Sequence, residues 1–344
     1  MADRLPSARL NRLTLERNIP VSATAELTRR CPLSCRHCYL PETRGRARAP
    51  RELSAAVWKS IISDLARAGA LYLTFTGGEP LLREDLAELC RHAASLRFDV
   101  SVFSTGLGLT PALAGELKEA GISSFGISFY GRPELHDRVT GLKGSFRRSL
   151  AAARLLRKAG VRVRMKSPLM TLNAEEAGWL TRLSSAEGFA VSFDPVIAPA
   201  NDGHPGASAF RLSGPALARA VSKVPPPPST AEAAAGPGAD DFICGAGRNV
   251  CAVDPSGWLY PCLQLPVRLG NLARSRFSSI WRGSPWLKKW RRLSAADQKS
   301  CVKCRDREYC SLCPGISLLE EDDVLAPNSA ACEMAAIMRR GAGV

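Results

Sequence analysis

Cysteine is the residue type that could do chemistry in this 344-residue chain, and the twelve cysteines are unevenly placed. Cys31, Cys35 and Cys38 fall within eight residues, in the run Cys31-Pro-Leu-Ser-Cys35-Arg-His-Cys38-Tyr39. Three thiolates so spaced can hold three irons of a cubane [4Fe–4S] cluster and leave the fourth iron open to react. Zinc is the other metal reading and would want a fourth ligand such as His37; buried unligated thiols would need no metal at all. Eight more cysteines crowd the last hundred or so residues: Cys244, Cys251, Cys262, Cys301, Cys304, Cys310, Cys313 and Cys332. Their count suits two tetrathiolate sites, although Cys301-x2-Cys304 followed by Cys310-x2-Cys313 is also a zinc-ribbon spacing. Cys90 stands alone on the apolar side of a predicted helix and reads as a packed thiol.

These groups need elements to position them. Between residues 21 and 196, β-prone runs alternate with helical periods in the order that builds parallel strands joined by crossover helices. Strands are expected over Val21–Thr28, Leu71–Phe75, Val100–Ser104, Ser123–Phe129, Val161–Lys166 and Val191–Asp194. Helices are expected over 52–69, 83–96, 110–120, 144–159 and 173–187, with caps at Ser54, Thr110, Ser145 and Asn173. Six strands about thirty residues apart make an α/β domain, either an open doubly wound sheet or a partial barrel; in both, ligands gather at the carboxyl ends of the strands. The cysteine triplet directly follows the first strand. The second runs into Thr76-Gly77-Gly78-Glu79-Pro80, where two glycines permit close backbone approach and Glu79 adds an acceptor. Residues 198–240 are rich in Pro, Gly and Ala and read as a connection with one short helix near 213–223. The cysteine-rich segment after it would owe much of its order to bound metal.

The order Cys-x3-Cys-x2-Cys, strand, Gly-Gly-Glu-Pro resembles the radical S-adenosylmethionine (radical SAM) superfamily. The resemblance implies a partial (β/α)6 TIM-like barrel in which Cys31, Cys35 and Cys38 hold the radical-generating [4Fe–4S] cluster. S-adenosylmethionine would chelate its open iron, with Tyr39 by the adenine, Gly77, Gly78 and Glu79 at the methionyl end and Ser128 near the ribose or carboxylate. Ser104 and Thr105 fall where many members carry a Thr-Asn-Gly turn, here without the Asn. His136 and Asp137 read either as a polar cluster after the fourth strand or as an exposed helix cap. The segment from about 241 resembles the SPASM extension of such enzymes, through Gly257-Trp258-Leu259-Tyr260-Pro261-Cys262, Leu269-Gly270-Asn271-Leu272 and Ser279-Ile280-Trp281. By that analogy Cys244, Cys251, Cys262 and Cys313 hold one auxiliary iron–sulfur cluster and Cys301, Cys304, Cys310 and Cys332 a second, both of [4Fe–4S] type. The implied domains are 1–20, an extension; 21–197, the radical barrel; 198–240, the connection; and 241–344, the SPASM domain.

Within that group the stretch from Ile127 to Phe146 looks most like maturases of ribosomally made peptides. The implied reaction abstracts hydrogen from a precursor peptide and ends in an oxidative crosslink or dehydrogenation. A sulfatase-maturing enzyme would carry an Asp after the cysteine matching Cys262, as the base that deprotonates the substrate radical; Leu263 stands there, and the catalytic base stays unassigned. A tetrapyrrole-oxidising enzyme of the haem pathway shares both sets of motifs, and a zinc-ribbon nucleic-acid-binding protein is the reading from a different class. The formal charge of +15 admits several partners. Trp281, Trp286 and Trp290 interleave with Arg and Lys in a way that suits single-stranded nucleic acid, but their spacing also suits one buried helix face with the bases solvated, which is the favoured reading. A basic surface would equally guide an acidic peptide or a flavodoxin- or ferredoxin-type electron donor. The residues before the first strand are too few for a winged-helix leader-binding module, so a separate leader-recognition protein, or the basic surface itself, is expected to present a peptide. Without a signal peptide or an apolar run near the ~20 residues that cross a bilayer, the expectation is a cytoplasmic protein that leaves membranes alone.

Overall fold

The computed structural model describes residues 6–40, 52–224 and 241–341. The six expected strands form: β1 (Ser22–Glu26), β2 (Tyr72–Thr76), β3 (Asp99–Ser104), β4 (Ser124–Ser128), β5 (Arg162–Pro168) and β6 (Ala190–Asp194). They pair in parallel, each beside its predecessor in the chain, in one nine-stranded sheet ordered β6-β5-β4-β3-β2-β1-β7-β8-β9. A doubly wound sheet would reverse direction at a switch point. Here every crossover advances the same way, so the right-handed helices cover one face only and leave the other as the inside of a partial barrel.

Side chains sort accordingly. Ala23, Ala25 and Leu27 of the β1 segment, Leu73 and Phe75 of β2, Phe125 and Ile127 of β4 and Met165 of β5 point outward, and all are buried under the helices. Those helices are α2 (Ala55–Arg67), α3 (Leu86–Ser95), α4 (Pro111–Glu119), α6 (Ser145–Lys158) and α7 (Ala177–Glu187). Ser54 and Thr110 cap α2 and α4 as expected, accepting from Val57 N and Leu113 N. The other two caps differ. Gly144 is the N-cap of α6, and Asn173 instead closes a preceding turn by accepting from Met170 N, leaving Glu176 at the start of α7. An additional helix, α5 (Pro133–Thr140), holds His136 and Asp137. Asp137 caps α6, accepting from Gly144 N, Ser145 Oγ and Phe146 N, so it is neither a solvated charge nor part of the cavity described below.

The cysteine-rich segment is joined to the barrel through the sheet. Its strand β7 (Val250–Val253) pairs in parallel with β1, with Ala25 opposite Val253, and β8 (Trp258–Tyr260) and β9 (Gly270–Asn271) extend the edge antiparallel. Helix α1 (Pro6–Arg17) docks on the same segment, where Asn249 Nδ2 donates to Asn11 Oδ1 at 2.9 Å. Three tryptophans lie on two helices, α9 (Phe277–Gly283) and α10 (Pro285–Trp290). Trp281 and Trp290 are buried and donate to Asn18 O and Ala246 O, while Lys288, Lys289 and Arg292 are exposed; the core reading of this stretch holds.

Residues 198–224 depart from the expected loose connection. Helix α8 (Gly214–Ser222) forms close to its expected bounds, but Ala200 is buried, and Ala207, Leu212, Leu217 and Ala220 are buried in two small satellite cores. The prolines and glycines that made the stretch read as a linker stand between alanines and leucines that pack. The run Pro225 to Pro228 and the tail to Asp240 lie outside the described residues, as do the arginines between 41 and 51. Among the described residues no helix is long and apolar enough to cross a membrane.

Candidate active site and metal centres

The concave face of the sheet opens into a cavity of about 620 Å³ at the carboxyl ends of β1–β6. Parity along the strands explains its lining: positions alternating with the outward core, Thr24, Thr76, Gly126, Ser128, Lys166, Ser192 and Asp194, are small or polar. Cys31, Cys35, Cys38 and Tyr39 close one side, and Gly77 and Gly78 line the wall beside them. The three thiols are mutual neighbours. Burial pushes Cys35 up to about 12 and Cys31 up to about 11, with the adjacent cysteines adding to both. A group of thiols at the rim of a cavity of ligand size fits a cluster and its small-molecule ligand.

The cysteine loop is tied down by backbone. Gly78 N donates to Thr28 O at 2.7 Å and Glu79 N to Arg30 O at 2.8 Å, while Ser34 N reaches Thr140 O at 3.0 Å. A Cβ on Gly77 would fall well inside contact of Thr28 O, and one on Gly78 would strike the carbonyls of Arg29 and Arg30. The two glycines therefore let the β2 turn approach the chain that leads into the cysteine loop. This is an additional reason for glycine there, beyond approach to a ligand.

Glu79 has a place its motif does not suggest. Its carboxylate is wholly buried and does not line the cavity. It accepts from Ser104 Oγ at 2.7 Å, Thr105 N at 2.8 Å, Leu81 N at 3.0 Å and also from Thr105 Oγ1. Burial raises its pKa and these donors oppose the rise. Glu79 thus braces the β3 turn, and Ser104 and Thr105, which do line the cavity, are positioned through it. Tyr39 donates to Glu26 Oε1 at 2.6 Å, and His37 stands edge-on to Tyr130, ring centroids 4.8 Å apart. Sequence reasoning missed Lys166 and Asp194. Lys166 sits over the Phe103 ring at 3.4 Å, and burial lowers its pKa to about 8, partly offset by Asp194. A lysine at an inward position of a parallel strand was the available signal.

A second cavity of about 320 Å³ shares Leu40 and Leu263 with the first and reaches β7 and β8. Glu26 lines it, buried at the end of β1, with the Arg29–Asp254 ion pair (3.4 Å) and Tyr260.

The C-terminal cysteines fall into two neighbourhoods. Cys244, Cys262 and Cys313 feel one another electrostatically, and Cys251, completely buried, neighbours Cys262. Cys301, Cys304, Cys310 and Cys332 form the other set, against a cavity of about 490 Å³, with Cys304 and Cys332 exposed. Cys313 lies with Cys244 despite following Cys310 by three residues. Among the described residues no three His, Cys, Asp or Glu side chains converge on a single metal-ion position. A cubane, which takes each thiolate on a different iron, asks for no such convergence. Cys90 is fully buried in the core, as expected.

Comparison with known proteins bears on this arrangement. Residues 25–178 match the model of the radical SAM superfamily, and residues 244–314 match SPASM, an iron–sulfur cluster-binding domain. The PqqA peptide cyclase of Methylocella silvestris is 34% identical over 171 residues, 49% of this chain and 45% of that protein. The AdoMet-dependent heme synthase of Oleidesulfovibrio alaskensis is 27% identical over 323 residues, 84% of this chain and 80% of that one. The chain thus spans less than half the length of the peptide cyclase it matches, and more of the heme synthase. In fold it is similar to Streptococcus suis SuiB bound to the precursor peptide SuiA, with a TM-score of 0.66 at 15% identity, covering 94% of this chain and 80% of that one. A radical SAM domain implies S-adenosylmethionine and a [4Fe–4S] cluster, and SPASM implies further iron–sulfur clusters. The chain thus carries a radical SAM domain in residues 25–178 and a SPASM domain in residues 244–314.

Proposed function

We propose that this protein is a peptide maturase that abstracts hydrogen from a ribosomally made peptide and leaves an oxidative modification, a crosslink or a dehydrogenation. The observation that carries the reading is a pair of adjacent cavities that share Leu40 and Leu263: one rimmed by the cysteine triplet and the other bounded by the SPASM strands. When bound, the cluster and S-adenosylmethionine would supply a 5′-deoxyadenosyl radical. Cys31, Cys35 and Cys38 would hold that cluster. Tyr39, Gly77, Gly78 and Ser128 would contact the cofactor, with Glu79 acting through the Ser104–Thr105 turn it braces. Lys166 offers a buried cation on the cavity wall. The second cavity would receive the substrate side chain. There Glu26 offers a buried carboxylate to a departing proton, a role that Leu263 cannot fill. Cys244, Cys251, Cys262 and Cys313 would hold one auxiliary [4Fe–4S] cluster and Cys301, Cys304, Cys310 and Cys332 another, on the spatial grouping above, and such clusters would supply the one-electron acceptor that completes the oxidation once the hydrogen atom and the proton have left. A flavodoxin- or ferredoxin-type protein in the cytoplasm would deliver the electron, and a separate leader-recognition protein would help present the peptide.

A second reading, tetrapyrrole oxidation, is favoured by the longer alignment with the heme synthase. Co-expression with short peptides encoded beside the gene separates the two. Loss of two hydrogens from a peptide, read by mass spectrometry, supports the maturase; an unchanged peptide together with turnover of a porphyrin substrate overturns it.

A further inference from the structure

A fourth cavity, of about 440 Å³, lies at the other end of the sheet. Ile19 and Pro20, which line it, precede β1, whereas Cys31 follows it, so the length of a five-residue strand, roughly 17 Å, separates this cavity from the cysteine loop. Its charged lining is Arg17, Arg67, Arg276, Arg282 and Arg291 against a single carboxylate, Asp64. That carboxylate is already engaged: it pairs with Arg67, with Arg276 at 3.3 Å, and accepts from Phe277 N at 3.2 Å.

Arg291 is half-buried, and one of its three nitrogens lacks a partner. Its Nε donates to Gly247 O and its Nη1 to Trp281 O, both at 2.8 Å, and it stacks 4.7 Å from the Trp281 ring centroid. Nη2 is buried with no hydrogen-bond partner among the described residues, and no carboxylate pairs with the group there. Burial, with Arg248 adding, lowers its pKa to about 10, the mark of a guanidinium short of counter-charge. A desolvated cation of this kind is costly unless an anion completes it.

We propose that this cavity is a binding site for an acidic peptide segment whose carboxylates pair with the arginines and whose apolar residues lie on Ile19. Guanidinium forks match carboxylate and phosphate alike. A peptide is the better occupant on two counts. Arg67 and Arg276 are exposed over 61% and 71% of their side chains, a spread rim instead of a tight cradle, and no glycine lines the cavity to make a phosphate-gripping loop. The lining also includes the half-buried Ile19, an apolar contact that a peptide can use and an inorganic anion cannot. That this segment belongs to the substrate rests on the maturase reading; the anion site itself does not. Ten extended residues cover roughly 33 Å, enough for one peptide to occupy this site and the reacting cavity together.

The test is fluorescence anisotropy with a labelled (Glu-Leu)4 peptide, against (Lys-Leu)4 and with sodium tripolyphosphate as competitor. The protein should bind the acidic peptide in preference to the basic one, more weakly as salt rises. The double variant Arg67→Glu/Arg282→Glu should lose roughly ten-fold or more in affinity, while its circular dichroism and melting stay near those of the parent. Equal binding by the double variant, or no preference for the acidic peptide, overturns the site. Tripolyphosphate that binds more tightly than the peptide and displaces it overturns the peptide assignment. Binding that is lost in the variant, in a protein that releases no 5′-deoxyadenosine under reduction, upholds the site and removes the radical reading instead.

Discussion

The two outlying cysteine groups are held in different ways. The loop from Cys31 to Cys38 follows a central strand and is fastened by backbone hydrogen bonds to the β2 turn and to α5. Cys301, Cys304 and Cys310 stand on short turns, and Cys304 is exposed. In the first group the sheet positions the thiols; in the second, turns stabilised mainly by their own neighbours must do so. Metal should therefore matter to the order of the second group much more than to the first.

The largest expected effect separates the groups by chemistry. Cys35→Ala should abolish release of 5′-deoxyadenosine from S-adenosylmethionine and dithionite, to below a thousandth of the parent rate, whereas Cys304→Ala should keep measurable release. Chromatographic assay of the nucleoside after anaerobic reconstitution checks both. Retained turnover in Cys35→Ala would remove the triplet from the radical centre. The next effect tests order directly. After chelation, hydrogen exchange in residues 298–313 should rise toward that of an unfolded chain, while amides of Gly78, Glu79 and Ser34 keep most of their protection. Equal loosening of both regions would erase the contrast.

Much of this was legible from residue types. Period-two apolar runs located all six barrel strands to within about two residues at their ends, because a strand buried under helices needs Val, Leu, Ile and Phe on its outer face. The gathering of Cys313 with Cys244 was implied by the SPASM resemblance and not by spacing, which would as readily have set Cys313 with Cys310. What escaped was long-range. Nothing local in Val250–Val253 says that it pairs with β1 two hundred residues away. Nor does a Gly-Gly-Glu-Pro string reveal that Glu79 turns its carboxylate inward to Ser104 and Thr105, since that depends on which strand lies next door. Lys166 shares its parity with Arg162 and Arg164, which are exposed, and nothing within Val161–Lys166 marks it as the one that lines the cavity.

The support beneath the first loop can be weakened by one atom. Gly78→Ala places a methyl group against the carbonyls of Arg29 and Arg30, where only backbone could yield, and should cost roughly 3 kcal/mol. Gly108 is the control. It has φ of +89 but open space around its Cβ position, so Gly108→Ala should cost only about 1–2 kcal/mol, from left-handed backbone strain. Denaturant melts of the two variants would measure the difference, and equal losses would show that the tight approach of the β2 turn does not support the loop.

The last effect appears only as pH falls and concerns His136, which packs among Phe129, Tyr130 and Phe146 on the α5 side of the same loop. It is 1% exposed and neither ring nitrogen finds a partner among the described residues. Burial lowers its pKa to about 4, with Asp137 opposing. Above about pH 6.5, the ordinary value, the imidazole is neutral in folded and unfolded chains alike and costs nothing in ionisation. As pH falls from there toward 4, the unfolded chain takes up a proton that the folded chain refuses, so stability is lost through that window, by at most about 3 kcal/mol for this group. Other buried groups titrate too, which makes the difference between parent and variant the quantity to measure. His136→Leu removes the two unpartnered nitrogens, and its stability should fall less steeply than the parent's between pH 6.5 and 4, as read from urea midpoints. Parallel pH profiles would mean that the ring finds a proton acceptor in solution, and that this wall of the loop is looser than its aromatic packing implies.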